Sequence, residues 1–299
     1  MAQQQDLDQL VHVIAARVRE KLQAGAREGL TNTSPCGGKK EDCVGCGWSA
    51  SRRPMATRAI LENGASRVAA APNVGSVDSD LAAHIDHTLL KPDVTKDQLA
   101  VLCDEARRHV FASVCVNPSN VRYCAGQLAG TPVRVCTVVG FPLGATTAGA
   151  KAYEAREAIR AGATEIDMVI NIGALKSGDY ATVLEDIRKV VEASRPHVVK
   201  VILETGGLDD TEKIIGCTLS KVAGAHFVKT STGFGPGGAT VDDVRLMKAV
   251  VGDELEVKAS GGVRDAAGAK AMIEAGATRI GASASVSIVT GQKAKSSGY

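Results

Sequence analysis

Lysine is an expensive residue for an apolar run, yet this chain uses it twice in close succession, as Lys229 in FVKTSTGFGPGGAT and Lys258 in EVKASGG. Burying an ammonium is costly unless it is paired, so each position points to chemistry that needs an amine. Each lysine precedes a serine by two residues (Ser231 and Ser260), and the two-residue period of a strand puts Lys and Ser on one face. Two amines held together repel. The expectation is that each depresses the other's pKa and that one becomes the neutral form able to add to a carbonyl. Asp86 in IDHTLL and Asp167 in EIDMVIN interrupt apolar runs in the same way and would supply compensating carboxylates and a route for protons. Lys200 and Glu204 in VVKVILE form a second, weaker set. The competing reading has the lysines snorkel outward to surface acids. It suits one lysine better than two on neighbouring strands that both run into glycine turns.

Those turns add a second chemical signal. Gly233-Phe234-Gly235-Pro236-Gly237-Gly238 follows the first lysine, Gly261-Gly262-Val263-Arg264 the second, and Gly281-Ala282-Ser283 closes a later apolar run. Glycine lets backbone N–H groups face an anion unobstructed, and a following helix N-terminus favours negative charge. A phosphorylated substrate is the expected ligand.

The elements that must hold these residues are legible as an alternation. Strand-like runs span 85–90, 113–117, 133–140, 165–171, 198–204, 226–232, 256–261 and 279–283. Amphipathic helical patterns lie between them, several closing on glycine as in RAGAT, VAGAH and EAGAT, which is a usual helix stop. Such an alternation fits a (β/α)8 TIM barrel, an α/β fold whose function collects at the C-terminal ends of the strands. A doubly wound open sheet is the competing architecture.

The formal charge of +2 divides evenly along the 299 residues, with no basic stripe for nucleic acid. No apolar run approaches membrane-spanning length, and the first residues do not read as a secretory signal. Cys103, Cys115, Cys124, Cys136 and Cys217 lie singly in apolar or helical contexts, a pattern that fits a reducing cytoplasm.

In order along the chain, IDHTLLKPD, VCVNPSNV, TVVGFPLGATT, EIDMVINIGALKSGDY, VKVILETGGL, FVKTSTGFGPGGAT, VKASGGVRD and RIGAS resemble class I deoxyribose-phosphate aldolases from about residue 80 onward. The resemblance implies reversible cleavage of 2-deoxy-D-ribose 5-phosphate to acetaldehyde and D-glyceraldehyde 3-phosphate, without metal or cofactor. It implies Lys229 as the Schiff-base lysine and Lys258 as the neighbour that keeps it neutral. It further implies Asp167 as the proton handler, with Asp86 as its relay partner. Gly233, Gly261, Gly262, Val263, Arg264, Gly281 and Ser283 fall in the phosphate loops. Three details depart from or extend the pattern. Phe234 stands where some members carry lysine, Ala284 where some carry serine, and Tyr299 resembles a terminal tyrosine that donates a proton in some members. A homo-oligomer, a dimer, is expected. The alternatives are a class I aldolase for another phosphorylated sugar and an assembly component that has kept an aldolase-like barrel.

Residues 1–80 lie outside that resemblance. Leu7, Leu10, Val11, Ile14, Val18 and Leu22 form an apolar stripe with helical spacing. The expected division is therefore an amphipathic helix in 1–30, a flexible Gly/Ser/Cys-containing linker in 31–80 and the barrel in 81–299. Helix and linker together resemble the encapsulation peptides of bacterial microcompartment enzymes, which implies a shell protein as partner and a place inside such a compartment. The competing reading docks the helix on its own barrel or on a neighbouring subunit. Cys36, Cys43 and Cys46 could ligate a metal, but a fourth ligand is not evident.

Overall fold

The computed structural model describes residues 79–291 together with eight helical residues between positions 9 and 20. The expected linker and the cysteines Cys36, Cys43 and Cys46 lie outside the described residues, apart from Ser79 and Asp80, and so does Tyr299.

After a short helix α1 (Ser79–Ala82) come β1 (Ile85–Leu89), α2 (Lys96–His109), β2 (Ser113–Val116) and α3 (Val121–Gln127). Then follow β3 (Arg134–Val139), α4 (Ala148–Arg160), β4 (Glu165–Val169), α5 (Ile172–Lys176) and α6 (Tyr180–Ser194). The second half runs β5 (Val198–Ile202), α7 (Asp210–Val222), β6 (Phe227–Lys229), α8 (Val241–Val251), β7 (Glu256–Ser260), α9 (Ala266–Glu274), β8 (Arg279–Ala282) and α10 (Ser285–Thr290). The strands pair in sequence order and β1 closes on β8, all parallel. This is the expected barrel, and the closure excludes the open sheet.

Local chemistry explains where the helices begin. Thr95 and Asp209 form capping boxes with Gln98 and Glu212, while Thr147, Asp179, Thr240 and Asp265 accept from the first turns of their helices. Each cap satisfies backbone donors that the helix leaves free. Between strands and helices sits the core: Val114, Ile166, Val199, Val228, Val257 and Ile280 are fully buried, against helix residues such as Leu99, Val183, Ile187, Val190 and Met247. The alternate strand positions point into the lumen. A second bolt is polar. Lys151 of α4, wholly buried, donates to Asp186 of α6 at 2.6 Å and to the Val169 carbonyl at the end of β4 at 2.8 Å.

At the N-terminus, Ala15 is buried, the His12 ring lies edge-on to Tyr180 with centroids 5.9 Å apart, and Arg19 hydrogen-bonds Thr211. These contacts fall on the first turns of α6 and α7. Among the described residues no helix is long and apolar enough to cross a membrane.

Candidate active site

Closure of the barrel turns spacing in sequence into contact. Lys229 and Lys258 are direct register partners on β6 and β7, as are Asp167 and Lys200 on β4 and β5. All four point inward, and they meet at one carboxylate. Lys229 Nζ donates to Asp167 Oδ2 at 2.9 Å and Lys258 Nζ donates to the same oxygen at 2.7 Å. Lys200 Nζ donates to Asp167 Oδ1 at 2.8 Å, and the Cys136 thiol donates to that oxygen at 3.1 Å. Asp86 joins from β1, its Oδ2 lying 2.5 Å from Lys258 Nζ.

A lower layer holds this set from beneath. Arg279, the first residue of β8, donates to Asp86 Oδ1 at 2.6 Å and to Glu165 Oε2 at 2.9 Å. Glu165, the first residue of β4, also meets Lys200 at 2.6 Å and half-buried Arg134 at 3.0 Å. Sequence reasoning missed Glu165, Arg279 and Cys136 and underweighted Lys200. The signal was present: Glu165 stands two residues before Asp167, hence on the same face, and Cys136 is its register partner on β3.

The electrostatics correct one expectation. Burial works to lower the Lys258 pKa, but Asp167 and then Asp86 outweigh it and hold the ammonium above the ordinary lysine value. Mutual depression of the two lysines therefore does not describe Lys258. Lys200 is raised in the same way, chiefly by Asp167 acting against burial. The carboxylates shift oppositely. Burial opposes their ionisation, yet Arg279 and then Lys258 hold Asp86 well below the usual range, and Lys200 and then Lys229 do so for Asp167. Glu165, buried but facing Arg279 first and Lys200 second, falls to about 2. Lys200, Lys258 and Arg279 each touch at least two of these acids, whereas Lys229 touches only an oxygen it shares with Lys258. Lys229 is thus the amine whose charge the network needs least. Cys115, Cys136 and Asp167, and separately Asp86, Cys136 and Glu165, bring potential metal-ligand atoms within 4.8 Å of one another. The ammonium groups of Lys200 and Lys258 already hold those carboxylates, so a metal ion there would meet like charge.

Above the charges lies the rim. Gly233, Gly261 and Gly262 have φ values of 86°, 86° and 80°, which favour glycine, and Val263 is buried beside exposed Arg264. Gly238 packs so closely on the loop after β7 that a Cβ would stand 2.6 Å from the Gly261 carbonyl oxygen. Ser283 follows β8, ahead of α10. Gly281 differs from the others: it lies within β8, where a Cβ would meet Ser260 at 2.9 Å and Lys258 Cε at 3.0 Å. Its smallness makes room for the second lysine. Ser260 Oγ donates to the Ser231 carbonyl at 2.6 Å, while the buried Ser231 Oγ has no protein partner among the described residues. The Phe234 ring lies edge-on to Phe141 at 5.3 Å, spanning from the loop after β6 to the loop after β3.

Comparison with known proteins agrees with this geometry. Residues 81–292 match the DeoC/LacD family of aldolases. The deoxyribose-phosphate aldolase of Staphylococcus epidermidis strain ATCC 12228 is 63% identical over 207 residues, covering 69% of this chain and 94% of its own. That of Brevibacillus brevis is 60% identical over 216 residues, covering 72% and 98%. Among solved structures, the tetrameric deoxyribose phosphate aldolase of Aeropyrum pernix superposes with a TM-score of 0.67 at 33% identity, covering 77% of this chain and 95% of that one.

Proposed function

The chain belongs to the DeoC/LacD family of aldolases, and from that premise we propose how its lumen does the chemistry. The reaction is that of its relatives, reversible cleavage of 2-deoxy-D-ribose 5-phosphate to acetaldehyde and D-glyceraldehyde 3-phosphate. Lys229 Nζ adds to the C1 aldehyde, and loss of water gives an iminium. The C2–C3 bond breaks with its electron pair moving into the iminium, while the C3 hydroxyl loses its proton to a base. An enamine of acetaldehyde remains, takes a proton at C2 and is hydrolysed from Lys229.

One observation carries this assignment: Lys229 and Lys258 share a single carboxylate oxygen of Asp167. A proton leaving Lys229 or the carbinolamine thus has an acceptor at 2.9 Å, and that acceptor is hydrogen-bonded to an ammonium held charged by Asp167 itself and then by Asp86. Lys258 acts here as a charged proton donor beside the nucleophile. Gly233, Gly261, Gly262, Val263, Arg264 and Ser283 border the phosphate, and Gly281 leaves room for Lys258. Borohydride reduction in the presence of acetaldehyde should add a two-carbon adduct to the peptide containing Lys229. Lys229→Leu should lose both adduct and turnover; turnover surviving that change would sink the assignment.

Outside the barrel two further readings apply. The apolar stripe between Leu7 and Leu22 supports a role for residues 1–30 as an encapsulation peptide. The contacts of His12, Ala15 and Arg19 support docking on the chain's own barrel. Fusing residues 1–30 to a fluorescent protein separates them, since diffuse fluorescence in cells that form shells rejects encapsulation. A homo-oligomer is the expected solution state, and light scattering reads it directly.

A further inference from the structure

Glu204 is used by none of the chemistry above, yet its backbone is strained. It follows β5 with φ 61° and ψ 58°, the left-handed region that side chains other than glycine rarely adopt, and it is only 5% exposed. Its carboxylate turns toward the loop after β6. There Thr232 donates to it twice, from its backbone N–H at 3.3 Å and from its hydroxyl. Having given its proton to Glu204, Thr232 Oγ1 accepts from the backbone N–H groups of Phe234 at 3.0 Å and Gly235 at 3.2 Å. Two glycines admit this arrangement. A Cβ on Gly235 would stand 2.7 Å from Glu204 Cδ, and one on Gly206 would stand 2.0 Å from the Pro236 carbonyl oxygen.

The hub decides which way the loop's donors face. The N–H groups of Thr232, Phe234 and Gly235 are turned inward to Glu204 and Thr232, and that of Ala239 bonds the Gly261 carbonyl at 2.9 Å. Pro236 has no N–H to offer. Among the described residues this leaves the N–H groups of Gly233, Gly237 and Gly238 without a protein acceptor, and Gly238 packs directly on the glycine turn after β7.

We propose that Glu204 is a positioning residue for phosphate recognition: it folds the loop after β6 so that the free backbone donors face the substrate's phosphate. The proposal rests on the aldolase reading above. Glu204 never touches the reacting carbons, so its loss acts through the phosphate alone. In Glu204→Gln an amide NH2 replaces one carboxylate oxygen and opposes the Thr232 donors, which releases the hub while keeping the side chain's size.

The test measures full-chain enzyme on 2-deoxyribose 5-phosphate and on 2-deoxyribose, with inorganic phosphate as competitive inhibitor. In Glu204→Gln the KM for the phosphorylated sugar should rise about tenfold, with kcat within about twofold, because a displaced donor loop weakens binding by roughly one good contact. The Ki of inorganic phosphate should rise by the same factor, while both constants for 2-deoxyribose stay within about twofold. An equal fall in kcat on the two sugars, or no change on either, overturns the proposal. If Glu204→Gln does not fold, Gly235→Ala presses on the same carboxylate from the other side and must show the same phosphate-selective loss. Wild-type protein inactive on 2-deoxyribose 5-phosphate would instead refute the aldolase reading itself.

Discussion

The lumen and the rim of this barrel handle charge by opposite means. In the lumen Asp86, Glu165, Asp167, Lys200, Lys229, Lys258 and Arg279 interlock through side chains, each fixed by the others. At the rim, in the function proposed above, the groups offered to an anion are chiefly backbone N–H groups, set by glycine turns and by the Glu204–Thr232 hub, with Arg264 and Ser283 beside them. The difference predicts how each region fails. Removing a lumen side chain strands its partners as unpaired buried charges, which attacks chemistry and stability together. Distorting the rim leaves the amines intact and weakens the grip on phosphate.

The comparison breaks most sharply at Lys229. Lys229→Leu should lower kcat by roughly four orders of magnitude or more, because the covalent route disappears, and steady-state kinetics will read it. Asp167→Asn comes next: a loss in kcat of about 10²–10⁴ through missing proton transfer, with about 3–5 kcal/mol of stability lost from three lysines deprived of their carboxylate. Denaturant melts and kinetics should move together; a stable, active Asp167→Asn would dissolve the lumen–rim distinction.

The pH profile sharpens it. Asp86, Glu165 and Asp167 are depressed in the fold. Their stabilisation is full above the unfolded carboxylate values of about 4 and is lost as pH falls from there toward the folded values. Lys200 and Lys258 are raised, so their contribution is full below about 10.4 and is lost as pH rises through their folded values. The network itself should therefore add no slope to thermal melts between about pH 5 and 10, its carboxylate-linked loss lying on the acid side, while His109 and His197, whose pKa values burial lowers, destabilise the fold as pH falls below about 6.5. Melts with no further loss below about pH 4 would contradict the network.

Gly281→Ala then separates lumen from rim at one atom. The new Cβ presses on Lys258, so kcat should drop by about tenfold with KM for 2-deoxyribose 5-phosphate nearly constant; the reverse split would place Gly281 with the phosphate loops alone. Arg134→Met is the smallest perturbation. Half-exposed Arg134 meets a Glu165 that keeps Arg279 and Lys200, so the change should cost less than about 1 kcal/mol in urea melts.

Much of this was legible in the sequence because burial on both faces makes strands of a parallel barrel stand out as apolar runs. Ionised residues inside such runs, Asp86, Asp167, Lys229 and Lys258, were conspicuous for the same reason. Glu165 and Arg279 hid at strand starts, where a charged residue reads as the end of a loop. The direction of the Lys258 shift was hidden too, since it depends on two carboxylates from β1 and β4 that only closure brings within reach. Glu204 stood out with Lys200 as a weaker ionisable pair, but its left-handed backbone depends on the loop packed against it, which no local pattern encodes. That a Cβ at Gly281 would press on Lys258 and Ser260 was hidden as well, since β7 and β8 meet only in the closed sheet.

The side-by-side registration of Lys229 and Lys258 has one more consequence. In an open sheet an edge strand can slide against its single neighbour. Here β6 is held by β5 and β7 around a closed ring, so a one-residue slip would have to propagate through both seams. Such a slip would turn every inward residue of the strand toward the helices. The ring works as an indexing mechanism, locating two amines by hydrogen bonds made far around the circumference. Insertions should therefore be far better tolerated in the turn between α8 and β7 than inside β6 or β7, where one extra residue would uncouple the lysines while leaving every side chain in the sequence.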